Sequence, residues 1–243
     1  MNFLINKSFR DIYSAQFKLK IHMYLDMLLY LVILQIIAEV LFLYIDGILM
    51  SGSAPLVKLE YHAFTPIFVL FFSAIWSFYM GILVTKKQQR LEMASFIVTR
   101  KMEHTTNLSL FLCFSIFASL TTMLLNYVTR IVLLLYNSTG VIDESNLLHA
   151  PRVFFVNLIF AILCLLFTSA IGYFLGLLAY KYKFVYTLFF AAICAFLFWL
   201  QKQDAEVVYE KLNNPTLLFG SICIAITLFF GISTRFSTAL EVR

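Results

Sequence analysis

The chain has few charged residues and few cysteines. Of its 243 residues, 13% are charged and 62% are hydrophobic, whereas soluble domains carry about 25% charged residues. The four cysteines form no CxxC pair, so the sequence predicts neither a structural metal site nor a disulfide framework. This composition argues against a soluble globular domain.

The sequence motifs of several enzyme classes are also missing. Without a GxxxxGK[ST] stretch, the chain has no loop that cradles a nucleotide. HExxH and GxSxG do not occur, and the four histidines lack the spacing of metal ligands. We therefore predict a non-catalytic chain that itself binds no metal and no cofactor.

Long apolar runs are what the sequence has in abundance. About 20 apolar residues cross a hydrocarbon layer about 30 Å thick, and six runs reach or approach that length. We therefore predict an all-α polytopic membrane protein. The six predicted transmembrane helices are 24–45, 63–84, 108–136, 153–179, 184–200 and 216–232.

Basic residues are concentrated on alternate connecting segments. Thirteen of the eighteen Lys and Arg residues lie in the N-terminal segment, the second and fourth connections and the C-terminal tail. Since short basic segments stay on the cytoplasmic side, we predict that both termini are cytoplasmic. The net charge of +5 is then explained by topology and anionic lipid, and no nucleic-acid partner is expected.

The first 22 residues have helical periodicity. Apolar side chains recur every three or four positions, opposite a basic and polar face. Because such a helix places its apolar side at the acyl boundary, we predict an interfacial helix over 1–22 and a transmembrane domain over 23–243. A basic leader that only sets orientation is the alternative. The apolar face comprises Ile5, Phe9, Ile12, Tyr13 and Phe17, and the polar face comprises Lys7, Arg10, Ser14 and Lys18.

The second connection, 85–107, is the longest of the predicted cytoplasmic loops. Its apolar centre around Phe96 and Ile97 is ringed by charges, a composition typical of protein interfaces. We predict that it docks onto a cytoplasmic partner, and a turn of interfacial helix lying on lipid is an equal alternative. The predicted docking residues are Arg90, Phe96, Ile97, Arg100, Lys101 and Glu103.

Polar residues within the predicted spans indicate a second site. A charge inside a bilayer is expensive and often functional. Gln35 and Glu39 lie one turn apart on the first span, and Arg130 lies at similar depth on the third. We predict that Glu39 and Arg130 pair or line a polar cavity, unless Arg130 extends outward alone to the membrane surface.

Small residues on the fourth span predict a close helix contact. Gly172 and Gly176 have GxxxG spacing, which Ser169 extends by one turn. Because small side chains let two helix backbones approach in lipid, we predict a packing surface here, within the chain or between subunits.

An amphipathic N-terminal segment, six spans with both ends inside and a long second connection together make up essentially the whole chain. This arrangement resembles the membrane subunits of type-2-class ABC exporters, in particular the short six-span subunits of Gram-positive bacteria. Phe96-Ile97-Val98-Thr99-Arg100-Lys101 resembles their G-x-[ST]-R-[KR] stretch, with Ile97 or Val98 in the place of glycine. The acidic segment 201–215 is similar to the short extracellular helices before their last span. The resemblance implies that residues 90–103 form the coupling helix gripped by an ATPase subunit.

The resemblance also implies a half-transporter in a bacterial plasma membrane. This chain would form a path with a second copy or a related six-span subunit, and ATP and Mg would bind to the partner ATPase. Few charges line the predicted spans, so peptides, lipids or drugs are the expected cargo rather than small ions. The alternatives are a proton-coupled secondary transporter that uses Glu39 and a non-transporting scaffold or sensor.

Overall fold

The structure is a computed structural model that describes residues 9–50, 67–86, 100–135, 151–182, 184 and 215–239. Within these ranges all regular structure is helical. The helices are α1 (Phe9–Met50), α2 (Ile67–Val84), α3 (Arg100–Leu135), α4 (Pro151–Lys181) and α5 (Pro215–Ala239).

Three of these helices are long and apolar enough to cross a membrane. The qualifying stretches are Arg10–Phe42 in α1, Met102–Val128 in α3 and Pro151–Ala179 in α4. The apolar parts of α2 and α5 are shorter, at Phe68–Val84 and Gly220–Ser233. This all-helical, apolar architecture fits a helical membrane protein. The predicted span over 184–200 lies outside the described residues, apart from position 184.

The outward face of α1 is apolar and part of its inner face is polar. Leu29 and Val40 are about three-fifths exposed (62% and 60%), whereas Gln35 between them is completely buried. In water such a pattern would expose an adhesive surface, but in lipid it places apolar side chains against the acyl chains. The surface of α1 therefore supports membrane insertion.

Helix α1 runs without a break through the boundary between 22 and 23 that the sequence predicted. No glycine or proline occurs between its first residue and position 46, so nothing in the backbone ends the helix there. Arg10, Ser14 and Lys18 are exposed, while Tyr13 and Phe17 are half-buried and stacked with ring centroids 6.2 Å apart.

Helix α3 begins at Arg100, eight residues before the predicted third span. The last part of the predicted loop 85–107 is thus helical. Its polar side chains suit this early start, because Thr105 and Thr106 donate to the carbonyls of the preceding turn, at Met102 and Glu103. Helices α4 and α5 each begin at a proline, a residue whose missing N–H is not needed in the first turn.

The chain forms two compact units, each assembled from separate stretches of sequence. Unit 1 comprises Met1–Trp76 and Leu108–Leu165, and unit 2 comprises Ser77–Asn107 and Leu166–Arg243. In unit 1, the indole of Trp76 donates to the carbonyl of Met27 at 3.1 Å and joins α2 to α1. In unit 2, the ring of Phe229 on α5 packs against Phe174 on α4, with centroids 5.6 Å apart.

Candidate functional site

A polar cluster, which we call the Gln35 centre, lies inside unit 1. It consists of Gln35 on α1, Ser73 on α2 and Ala118 and Thr122 on α3, all with no exposed surface. The amide nitrogen of Gln35 donates to Ser73 Oγ at 2.9 Å, to Thr122 Oγ1 at 3.1 Å and to the carbonyl of Ala118 at 3.2 Å. One side chain therefore connects three helices in an apolar interior.

Both hydroxyl groups of the Gln35 centre direct their hydrogens at their own helices. Ser73 donates to the carbonyl of Val69 at 2.9 Å, and Thr122 donates to that of Ala118 at 2.8 Å. Their oxygens thus face the amide of Gln35 as acceptors. No hydrogen-bond partner for Gln35 Oε1 occurs in the part of the chain that the structure describes, although the atom is buried.

A second cluster, the Tyr173 network, lies inside unit 2 and consists of His104, Asn107 and Tyr173. These residues are 6%, 2% and 2% exposed. The hydroxyl of Tyr173 on α4 lies 2.6 Å from Nδ1 of His104, and Asn107 Nδ2 donates to it at 3.3 Å. The ring of Tyr173 also stacks on Phe230 of α5, with centroids 5.9 Å apart.

The Tyr173 network forms a directional chain of hydrogen bonds. Asn107 donates to the phenolic oxygen, so we assign the hydroxyl hydrogen to the bond with His104 Nδ1. An imidazole that accepts at Nδ1 is neutral and carries its proton on Nε2. Tyr173 therefore has both a donor and an acceptor, and it fastens the first two turns of α3 to α4.

Glycines bring α2 and α4 into close contact in unit 2. A Cβ on Gly81 would collide with the backbone of Ser169 and Tyr173, and one on Gly172 would collide with the carbonyl of Phe78. One turn further on, a Cβ on Gly176 would collide with Thr85. We call this set the glycine contact. Gly172, Gly176 and Ser169 therefore face α2 of the same chain, through a glycine on α2 that the sequence analysis did not single out.

The glycine contact and the Tyr173 network hold the two helix ends that border residues 87–99. Thr85, at the end of α2, lies against Gly176, and the first turns of α3 bind Tyr173. Both ends of this segment are thus attached to α4 within unit 2. Arg90, Phe96 and Ile97 themselves lie outside the described residues.

The remaining predicted site residues lie on three different turns of α1 and α3. Glu39 is half-buried on α1, one turn from the fully buried Gln35. Arg130, Arg100 and Lys101 belong to α3, but their side chains are outside the described set. The pairing of Glu39 with Arg130 and the docking role of the loop stay predictions. Glu103 is half-buried in the first turn of α3.

Sequence reasoning missed most of the residues that these clusters bring together. Ser73, Thr122, His104, Asn107 and Tyr173 are ordinary polar residues within apolar or interfacial stretches. One signal was present, because buried polar groups in membrane helices usually hydrogen-bond across helices. That rule marks a polar residue as important but does not identify its partner.

The described residues contain no group of three His, Cys, Asp or Glu side chains placed to hold a metal ion. The polar atoms of both clusters are neutral amides, hydroxyls and an imidazole, which bind by hydrogen bonds rather than by charge. No family model, curated protein or solved structure matches this chain.

Proposed function

We propose that this chain is the membrane-spanning permease subunit of an ATP-driven exporter of the ABC type. It forms a path together with a second copy or a related six-span subunit in a bacterial plasma membrane, with both termini cytoplasmic. Separate ATPase subunits bind ATP and Mg and grip the segment that contains Phe96 and Arg100. Peptides, lipids or drugs are its cargo.

The observation that carries the proposal is the attachment of both borders of residues 87–99 to α4. A segment that passes force from an ATPase to the membrane needs firm connections at both of its ends. Thr85 against Gly176 provides one connection, and the bonds from Tyr173 to His104 and Asn107 provide the other. Movement of the segment would then displace helices as rigid bodies through packed contacts.

The length of α3 is a further support for coupling. This helix has 36 residues and begins at Arg100, next to the proposed docking segment. At 1.5 Å per residue, a helix of this length extends about 50 Å, which exceeds the thickness of the hydrocarbon layer. A displacement at its first turn is therefore carried along one continuous helix without passing through a loop.

The test is co-purification of the tagged chain from native membranes in mild detergent, followed by an ATPase assay. We expect an ATPase subunit with a nucleotide-binding loop to co-elute. Phe96→Ala and Arg100→Ala should reduce the co-eluting subunit at least tenfold, because truncating interface anchors costs more than about 1.4 kcal/mol each. Arg152→Ala is the matched control, since it removes an exposed arginine from the start of α4.

Equal loss of the ATPase subunit in Arg152→Ala and Arg100→Ala would contradict a specific docking segment. A chain that purifies alone and shows no response to nucleotide would contradict the exporter. Proton-driven uptake of cargo into vesicles, abolished by Glu39→Gln, would then support the secondary transporter, and its absence would support a scaffold or sensor.

A further inference from the structure

We infer that the Gln35 centre binds an internal water molecule, held by the side-chain amide of Gln35 between α1, α2 and α3. The inference concerns unit 1 alone and does not depend on the proposed transport function. It assigns a ligand to a cluster whose protein groups do not satisfy one another.

The donors and acceptors of the Gln35 centre are not balanced. The two N–H groups of one amide are shared among three acceptors: Ser73 Oγ, Thr122 Oγ1 and the carbonyl of Ala118. The hydroxyl hydrogens are directed elsewhere, at Val69 and Ala118. Gln35 Oε1 meets no donor among the described residues, yet Gln35 has no exposed surface. The centre therefore lacks a donor.

Exchanging the oxygen and nitrogen ends of the Gln35 amide does not remove this imbalance. If Oε1 faced Ser73 and Thr122 instead, their hydroxyls would have to turn away from their helix carbonyls to donate to it. The NH2 group would then occupy the position without a partner and leave two donors unsatisfied. In either orientation one end of the amide needs a partner, and buried amide groups rarely lack one.

Water is the small molecule that both donates and accepts, so it serves the amide in either orientation. A buried water normally makes two to four hydrogen bonds with polar neighbours. Ser73 Oγ and Thr122 Oγ1 each accept one bond from the amide and keep a second lone pair, which supplies the further contacts. An ion would instead be surrounded by neutral groups with no opposite charge in the centre.

The test is solution NMR of the full chain in detergent micelles, with 15N incorporated into glutamine side chains. The Gln35 signal is assigned by its loss from the spectrum of Gln35→Met. We expect the side-chain amide protons of Gln35 to show cross peaks at the water frequency with opposite signs in NOE and ROE spectra. Opposite signs denote dipolar contact, either with a long-lived water or with a hydroxyl proton that exchanges with water, whereas chemical exchange of the amide itself gives equal signs.

A Gln35 signal without any water cross peak would overturn the inference, and so would cross peaks of equal sign. The double variant Ser73→Ala, Thr122→Val separates the two sources, because it removes both hydroxyl groups of the centre and keeps the native amide. We expect the cross peak to persist in this variant, at reduced intensity because the water loses two of its proposed contacts. Complete loss of the peak would mean that the hydroxyls relayed it, and would overturn the inference.

Discussion

The Gln35 centre and the Tyr173 network are two buried polar clusters that differ in how completely the central side chain is hydrogen-bonded. In the Tyr173 network, the central hydroxyl has a donor in Asn107 and an acceptor in His104. In the Gln35 centre, the nitrogen of the central amide has three acceptors, and its oxygen has no partner among the described residues. Each cluster thus keeps one buried atom without a hydrogen-bond partner among the described residues: the outer nitrogen Nε2 of His104 in the first, and the oxygen of the central amide in the second.

This difference shows why burial of a polar residue does not by itself reveal its contribution to stability. Loss of a group with two buried partners leaves both partners without that bond, which is expensive. Loss of a group whose partners keep other bonds leaves less unsatisfied, and in the Gln35 centre Ser73 and Thr122 each remain bonded to their own helix. The surroundings differ as well, because the Tyr173 network lies in unit 2 together with the glycine contact, where the backbones of α2 and α4 touch. We expect unit 2 to tolerate substitutions less well than the Gln35 centre does.

The largest effect is expected for Gly172→Ala. The added methyl group collides with a backbone carbonyl, that of Phe78, which cannot move without separating α2 from α4. We expect the free energy of unfolding in detergent to fall by about 3 kcal/mol, at the upper end for overpacking.

Gly220→Ala is the control for this prediction. Gly220 is exposed on α5, and no atom of the described residues lies within 4 Å of the position that its Cβ would occupy. We expect no loss, and a gain of up to about 1 kcal/mol from helix propensity. Equal destabilisation by the two substitutions would mean that the glycine contact has no special role.

Tyr173→Phe should have the next largest effect. The substitution keeps the ring and its stacking on Phe230 but removes the hydroxyl that joins Asn107 to His104. We expect a loss of about 2 kcal/mol, because buried partners of the hydroxyl lose a bond. Tyr30→Phe, at an exposed tyrosine on α1, is the matched control and should change stability by less than about 0.5 kcal/mol. Unfolding by increasing amounts of denaturing detergent measures both.

Ser73→Ala is expected to have a smaller effect. Its hydroxyl accepts one of the three bonds from the Gln35 amide, and Thr122 and the carbonyl of Ala118 remain as acceptors. We expect a loss of about 1 kcal/mol, the net value of one hydrogen bond. A loss as large as that of Tyr173→Phe, measured in the same unfolding experiment, would erase the distinction between the two clusters.

The smallest effect is expected for Gln35→Met. The side chain keeps nearly the same length, the amide leaves together with the water that it holds, and the hydroxyls of Ser73 and Thr122 keep their bonds to their own helices. We expect the stability to change by less than about 1 kcal/mol in either direction. Destabilisation by more than Tyr173→Phe would show that the Gln35 centre is the more tightly bound of the two.

Part of the site was within reach of the sequence. The spacing of Ser169, Gly172 and Gly176 predicted a close helix contact, because small residues one turn apart always share a helix face. Gln35 was singled out because a polar side chain within an apolar run is costly to bury unless it forms hydrogen bonds. Neither argument identifies the partner. Ser73 lies 38 residues from Gln35 and Thr122 lies 87 residues away, so no local pattern connects them.

The boundaries of the predicted elements differ from the structure for a related reason. Hydropathy predicted a span that starts near 108, whereas α3 starts at Arg100. Polar residues such as Thr106 and Asn107 lower the hydropathy of the first turns, but they are compatible with a helix because their buried side chains form hydrogen bonds. The predicted division after residue 22 reflected a change of composition. A helix ends where its backbone hydrogen bonds end. The composition changes after residue 22, but no helix-breaking residue interrupts the backbone at that point.

By itself, the sequence determined that this chain forms long apolar helices, because the period of its side chains and the length of its runs are properties of each segment alone. Only the tertiary structure decided that Gly172 faces α2, that Tyr173 joins His104 to Asn107, and that Gln35 connects three helices. These contacts depend on the rotation and depth at which whole helices pack. Many different partners would satisfy the same periodic pattern, and close packing with hydrogen bonding selects among them.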